Sequence, residues 1–297
     1  MDRGPDGAED DDVEPALTDQ RWQELRGALA DASARFGRLI TEHREPERRA
    51  VGTWTVAEAA AHTAIVSHLD AGMLTGSSGD PELDRRIPGT TLGDLADLNA
   101  LALRRFPLDS AGAIADHLRE GVALLLERSA DLDPRAPATW LGGSRLTVGF
   151  LLAHLLNEVL LHGVDVAGPE SDAWHVPSAE AALAFDHFFV GLLSAEEKGI
   201  LFGPPGAAGR GGGRQVSVEL RSSRTIPVVL TTDGSGGATV APAGGPADAR
   251  IDFEPAAFML TVFRRTGVDS ALASGRLVVS GRNPAVGVEY LRRTQTP

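Results

Sequence analysis

The sequence predicts an α plus α/β two-domain protein, with an N-terminal four-helix bundle followed by a small α+β domain. Four long segments before residue 170 repeat apolar side chains at helical spacing. Beyond residue 214 the pattern changes to short alternating runs separated by turn residues. The 297-residue length suits one large or two ordinary domains, and 42% hydrophobic with 23% charged residues is an ordinary globular balance.

The elements run in this order. Leu17, Trp22, Leu25, Leu29, Ala32, Phe36 and Leu39 form one apolar stripe, so residues 17–41 read as a helix that ends before Pro46. Thr55 followed three residues later by Glu58 is a capping box, and a second helix should start there and end near Gly72. Residues 75–90 read as a loop, 91–105 and 110–130 as helices, and 131–145 as a proline-bearing loop. The most apolar helix spans 146–167 and stops at Gly168-Pro169. Residues 178–199 still read helical, and Gly203–Gly213 reads as a flexible connector. Strands are expected at Gln215–Leu220, Ile226–Thr231, Ala238–Ala241, Arg250–Phe253 and Arg276–Ser280, with helices at Glu254–Arg265 and Pro284–Arg293. The expected organisation is a disordered acidic tail over 1–16, the bundle over 17–169, and the α+β domain over 170–297.

Charge and composition exclude several classes. The formal charge is -13; the seven acids and single arginine of residues 1–16 carry -6, which leaves -7 for the rest. No basic cluster is present to neutralise a phosphate backbone, so no nucleic-acid partner is expected. There is no cysteine, which removes disulfides, thiolate ligands and a cysteine nucleophile; thiol chemistry needs a thiol from outside. The apolar run at 146–167 is interrupted by His154, Asn157, Glu158 and His162, and no signal peptide is visible, so no membrane partner and a cytoplasmic location are expected.

The chemistry concentrates on that same run. Glu158 and His162 are four residues apart, hence on one helix face, and they share it with Leu151, Leu155 and Val159. A carboxylate turned into a core is costly unless it is paired or coordinates a metal. His62 lies on the inward stripe of the second helix with Ala59, Val66 and Leu69. Two imidazoles and a carboxylate suit Zn²⁺, Ni²⁺ or Fe²⁺, and three ligands leave a coordination position open, as in catalytic sites. Without metal the same residues form a polar core pair, Glu158 with His162. His154, four before Glu158, competes with His62 as third ligand, or serves behind the ligands, or lines the rim. His43 sits at a helix end, His68 and His117 are expected to face solvent, and His175 and His187 lie beyond the bundle.

Two stretches carry a resemblance. Trp54-Thr-Val-Ala-Glu-Ala-Ala-Ala-His62 and Leu151-Leu-Ala-His-Leu-Leu-Asn-Glu158-Val-Leu-Leu-His162-Gly-Val-Asp165 resemble the mycothiol-dependent maleylpyruvate isomerase family. The resemblance implies a DinB-like four-helix bundle with metal ligands His62, Glu158 and His162, and a ligand-orienting role for Asp165. Asp252–Arg265 and Ala273–Gly281 look like the family's sterol-carrier-like C-terminal domain. That segment usually has Gly-Arg where this chain has Arg264-Arg265, so the family's functional arginine falls on Arg265.

The resemblance implies an enzyme that uses a divalent metal, Zn²⁺ first, and mycothiol as thiol cosubstrate. The thiolate would attack a small-molecule electrophile, with isomerisation or S-transfer as the outcome. Arg265 would be the catalytic clamp on a substrate carboxylate, although from composition alone it reads as a surface arginine at a helix end. The alternative is a non-catalytic protein that binds an apolar small molecule on the same scaffold. The expected assembly is a monomer or homodimer. Gly203–Gly213 lacks the Gly-Lys-Ser/Thr of a phosphate loop.

Overall fold

The computed structural model describes residues 17–168, 171–194, 215–232 and 238–294; the acidic run 1–16 and the Gly203–Gly213 segment lie outside them. Helix α1 (Asp19–Glu42) is capped by the Thr18 hydroxyl and buries the predicted stripe from Trp22 to Leu39. A short antiparallel pair, β1 (Arg49–Val51) and β2 (Trp54–Thr55), leads into α2 (Val56–Met73). The capping box is formed: the Glu58 N–H donates to Thr55 Oγ1, and the Thr55 N–H donates to the Glu58 carboxylate. Nearly all of α2 is buried, where the sequence suggested one inward stripe, because α4, α5 and α6 all pack against it.

The stretch read as a loop at 75–90 contains a short helix, α3 (Pro81–Arg86). Its signals are Asp80 at the N-cap, accepting from the Glu82 and Leu83 N–H groups, and Pro81 in the first turn. Leu83 anchors it in a second small core with Ile65, Leu69, Leu98 and Leu101. Helices α4 (Leu95–Arg105) and α5 (Ala111–Arg128) come next. Strands β3 (Pro137–Thr139) and β4 (Arg145–Thr147), which the sequence left inside a loop, pair with Ala138 opposite Leu146 and deliver the chain into α6 (Val148–Ala167). By length and composition α6 could span a bilayer, yet 78% of its most apolar window is buried inside the protein. Helices α1, α2, α5 and α6 form the bundle.

The stretch read as one helix from 178 is interrupted in its described part. Helix α7 (Ser178–Ala184) passes through a π-helical turn (Phe185–Phe189) into α8 (Val190–Ser194). Such a turn inserts one residue and rotates the helix beyond it. It buries Asp186, which accepts from Arg21 Nη2 at 2.5 Å and from the Ile226 N–H at 3.1 Å, tying α1 to the second half of the chain. It also buries His187, which the sequence placed merely beyond the bundle.

Among the described residues five strands form the sheet: β5 (Val216–Arg221), β6 (Val228–Thr232), β7 (Ala238–Pro242), β8 (Ala249–Phe253) and β9 (Leu277–Ser280). The order is β7-β6-β5-β8-β9, with β5 and β8 parallel and the other neighbours antiparallel. Leu220 of β5 and Val279 of β9 flank Ile251 of β8. Helix α9 (Pro255–Val262) is shorter than the predicted 254–265 because Arg264 turns left-handed, φ 65°. Helix α10 (Val268–Ala273) is too short to show a period in the sequence, and α11 (Pro284–Arg293) occupies its predicted span. Phe150 meets Phe188 at a tilt and Phe188 stacks on Phe263 across the seam, while Phe185, Phe253 and Phe258 form a second aromatic cluster. This aromatic core fixes the end of α9 above α6.

Gly163, inside the Glu-x-x-x-His-Gly-x-Asp run, has a packing reason. A Cβ there would lie 2.0 Å from Trp174 Cε2, and the Trp174 indole N–H donates to the Leu160 carbonyl at 3.1 Å. Gly163→Ala should therefore lower stability by about 1–3 kcal/mol in chemical denaturation. In a Trp174→Ala background the same substitution should cost less than about 1 kcal/mol, and equal costs in both would refute the contact as the cause.

Candidate metal centre

His62 stands in the second turn of α2, where the capping box fixes the helix start. Glu158 and His162 stand one turn apart on α6. The structure brings all three together: Glu158 Oε2 lies 3.3 Å from His62 Nε2 and 3.3 Å from His162 Nε2. One ligand atom from each residue lies within 4.8 Å of the others. Two donors each 2.0–2.2 Å from a tetrahedral Zn²⁺ sit roughly 3.3–3.5 Å apart, so the spacing fits one ion between them. Both histidines are buried, and Trp54 on β2 covers them, its ring 4.7 Å from that of His62 and 6.0 Å from that of His162.

Behind the ligands stands a set of carboxylate contacts. Asp165 Oδ2 lies 2.9 Å from His162 Nδ1, which turns Nε2 toward Glu158. Asp165 in turn accepts from Arg265 Nε at 3.0 Å and Nη2 at 2.6 Å across the seam. Arg265 Nη1 donates to the Phe263 carbonyl. The guanidinium therefore reaches the site as the partner of Asp165, with two of its five N–H directions left over. Its aim comes from the turn that ends α9, in which the Arg265 and Thr266 N–H groups both donate to the Leu260 carbonyl. Left-handed Arg264 costs roughly 1–2 kcal/mol there, but its guanidinium donates to the carbonyls of Leu291, Arg292 and Thr294 at the end of α11. That cross-tie explains how arginine stands where glycine is the expected residue.

His154 does not join the three. Its Nδ1 lies 2.9 Å from Asp70 Oδ2, and its Nε2 lies 3.9 Å from Glu158 Oε1. Asp70 escapes a reading of the sequence, although His62, Val66 and Asp70 recur every fourth residue on the apolar α2. Trp54 stands out there only as part of a motif. Of the remaining histidines, His43 Nδ1 accepts from the Glu45 N–H. His68 and His117, expected in solvent, instead stack at 3.8 Å between α2 and α5, half-buried. His175 is exposed.

Burial opposes every charge in the site, and the contacts decide the outcome. Burial pushes the Glu158 carboxyl up, but His162 and His62 outweigh it and hold it well below its usual range. Burial pushes His162 down, but Asp165 and then Glu158 raise it to about 9. His62 is lowered, because burial exceeds the pull of Glu158. Asp165 is lowered despite burial, by His162 and Arg265. At neutral pH these directions leave Glu158 ionised, His62 neutral and His162 protonated.

Residues 26–167 match the family described as "Mycothiol maleylpyruvate isomerase N-terminal domain". The fold and site thus define a helical bundle with a candidate metal centre facing an α+β domain, and the bundle, α1 to α6, is the part that is similar to that family. No curated protein matches the chain. Two solved structures are similar: a crystal structure of the mycothiol-dependent maleylpyruvate isomerase and one of its histidine-to-alanine mutant. Each shows 14% identity over 87% of this chain and 92% of the other, with a TM-score of 0.48.

A metal bound by these three residues would displace the His162 proton, since His62 is already neutral and Glu158 already ionised. About one proton should be released per Zn²⁺ bound near pH 7.5, measured in weak buffer. Apparent affinity should fall roughly tenfold per unit as pH drops below about 9, the direction set by the raised His162. Pairing His162 with two carboxylates would be the wrong account if binding released no proton.

Arg264→Gly should leave stability within about 1 kcal/mol of wild type in denaturation, because relief of the left-handed turn offsets the lost cross-tie.

Proposed function

We propose that the protein is a metal- and thiol-dependent enzyme of the mycothiol maleylpyruvate isomerase type, acting on an electrophilic small molecule. His62, Glu158 and His162 would hold a divalent metal, Zn²⁺ first. The observation that carries the proposal is the convergence of both imidazole Nε2 atoms on one carboxylate oxygen at 3.3 Å. A bound metal would favour the thiolate over the thiol of mycothiol, and the thiolate is the nucleophile. Two neutral imidazoles and one carboxylate leave a divalent ion with one net positive charge, the sign that attracts a thiolate.

The chain's own residues supply the rest. Asp165 fixes the His162 ring so that Nε2 faces the site. Arg265 neutralises Asp165, and its two remaining N–H groups are the ones able to meet a substrate carboxylate. Trp54 covers the imidazoles and limits water there. The reaction classes we propose are isomerisation of an activated double bond, through thiol addition and elimination, or S-transfer without elimination. We place the reaction in the cytoplasm, where small thiols are held reduced.

The competing reading is a non-catalytic carrier of an apolar molecule on the same scaffold. Among the described residues, one apolar cavity, lined by Asn157, Phe185, Phe258 and Met259, has a volume of about 10 Å³, room for a water-sized guest.

Elemental analysis after reconstitution should give one metal per wild-type chain and almost none for His162→Ala. Wild type should then turn over at least one electrophile only when both metal and thiol are supplied. Substoichiometric metal in both proteins would sink the site. Full metal with no thiol-dependent turnover across a broad electrophile screen would sink the enzyme reading.

A further inference from the structure

Asp70 is fully buried on α2, and none of the chemistry above uses it. Its carboxylate faces His154 Nδ1, at 2.9 Å from Oδ2 and 3.2 Å from Oδ1. The imidazole is further held by the rings of Trp140, Phe150 and Phe188, at centroid distances of 5.3, 6.2 and 5.2 Å. Its free corner, Nε2, points at Glu158 Oε1 from 3.9 Å.

The arrangement mirrors the one on the other side of Glu158. His154, Glu158 and His162 stand at successive fours along α6, on one stripe. Each flanking histidine has its Nδ1 against an aspartate, His162 against Asp165 of the same helix and His154 against Asp70 of α2. Each presents Nε2 to a different oxygen of Glu158: His162 to Oε2, His154 to Oε1. Burying the aspartate costs several kcal/mol unless it is paired, and it brings no packing that an apolar residue would not.

We propose that the Asp70–His154 pair is a positioning device for Glu158, holding its outer oxygen so that the carboxylate meets the metal through Oε2 alone. The 3.9 Å gap closes to hydrogen-bond distance by a small rotation of the carboxylate. With Oε1 held back, Glu158 does not swing to bind through both oxygens, and the remaining coordination position stays open for the thiol. The inference rests on the ligand assignment made above. His154 is a positioning residue and Asp70 its anchor; neither touches substrate.

The test uses the full chain. Replacing His154 alone would strand a buried carboxylate, so the main variant is Asp70→Ala with His154→Leu, an apolar pair of similar total volume. Asp70→Asn, which keeps the imidazole and loosens its anchor, is the second. Zn²⁺ affinity is read by competition with a chromophoric chelator, and coordination by the visible spectrum of the Co²⁺ form. The double variant should still take one metal per chain at saturation but bind Zn²⁺ roughly 10- to 100-fold more weakly. Its Co²⁺ absorption should weaken as coordination number rises, and Asp70→Asn should shift both readouts less, in the same direction. Wild-type affinity and spectrum in the double variant would overturn the proposal. So would loss of stoichiometric metal at saturation, which would make His154 a ligand. A wild-type chain that takes no metal would overturn the ligand assignment and this proposal together, an outcome distinct from a wild type that binds and variants that do not differ.

Discussion

Glu158 enters the bundle on the most apolar helix of the chain, where an unpaired carboxylate would cost several kcal/mol. Everything polar around it stems from that cost. His62 and His162 face one oxygen and His154 the other, so the charge meets an imidazole on each side. The imidazoles are themselves buried and need their outer nitrogens placed. Asp165 and Asp70 do this for two of them, and Arg265 then answers the charge of Asp165. The network grows outward from the carboxylate until it reaches a residue near solvent.

That growth explains why the second domain is attached as it is. Arg265 reaches Asp165 only because α9 ends above α6, and α9 is held there by the phenylalanines of the seam. The π-helical turn contributes by rotating Phe188 and Phe189 into the core while Asp186 ties back to Arg21. The apolar seam and the polar network are therefore coupled: a shift of the sheet domain would uncover Asp165 before it disturbed the ligands.

The amount of this that the sequence discloses depends on the range of the interactions. The start of α2 is legible because Thr55 and Glu58 satisfy each other locally. The Glu158 and His162 pairing is legible because one helix turn fixes it. The alternation of the strands is legible, but their order is not, since the β5–β8 pairing joins residues separated by a whole β-hairpin. His154 stays ambiguous because its role depends on Asp70, 84 positions away. Asp70 itself carries the same signal as Glu158, a charge on an apolar helix, yet α2 is apolar on every side and so offers no face from which to judge inwardness. His68 and His117 mislead for the related reason that their burial comes from each other.

Burial also separates the stable features of the site from the adjustable ones. Replacing His162 frees Glu158 and Asp165 at once, two carboxylates with reduced compensation in a buried place, so the centre cannot lose that residue gracefully. Trp54 carries no such burden. It covers the imidazoles, and it can change without stranding a charge. Variation around the centre is therefore least costly in the β1–β2 hairpin. The carboxylate and its imidazoles stay fixed because the burial that makes them useful also makes them costly to disturb.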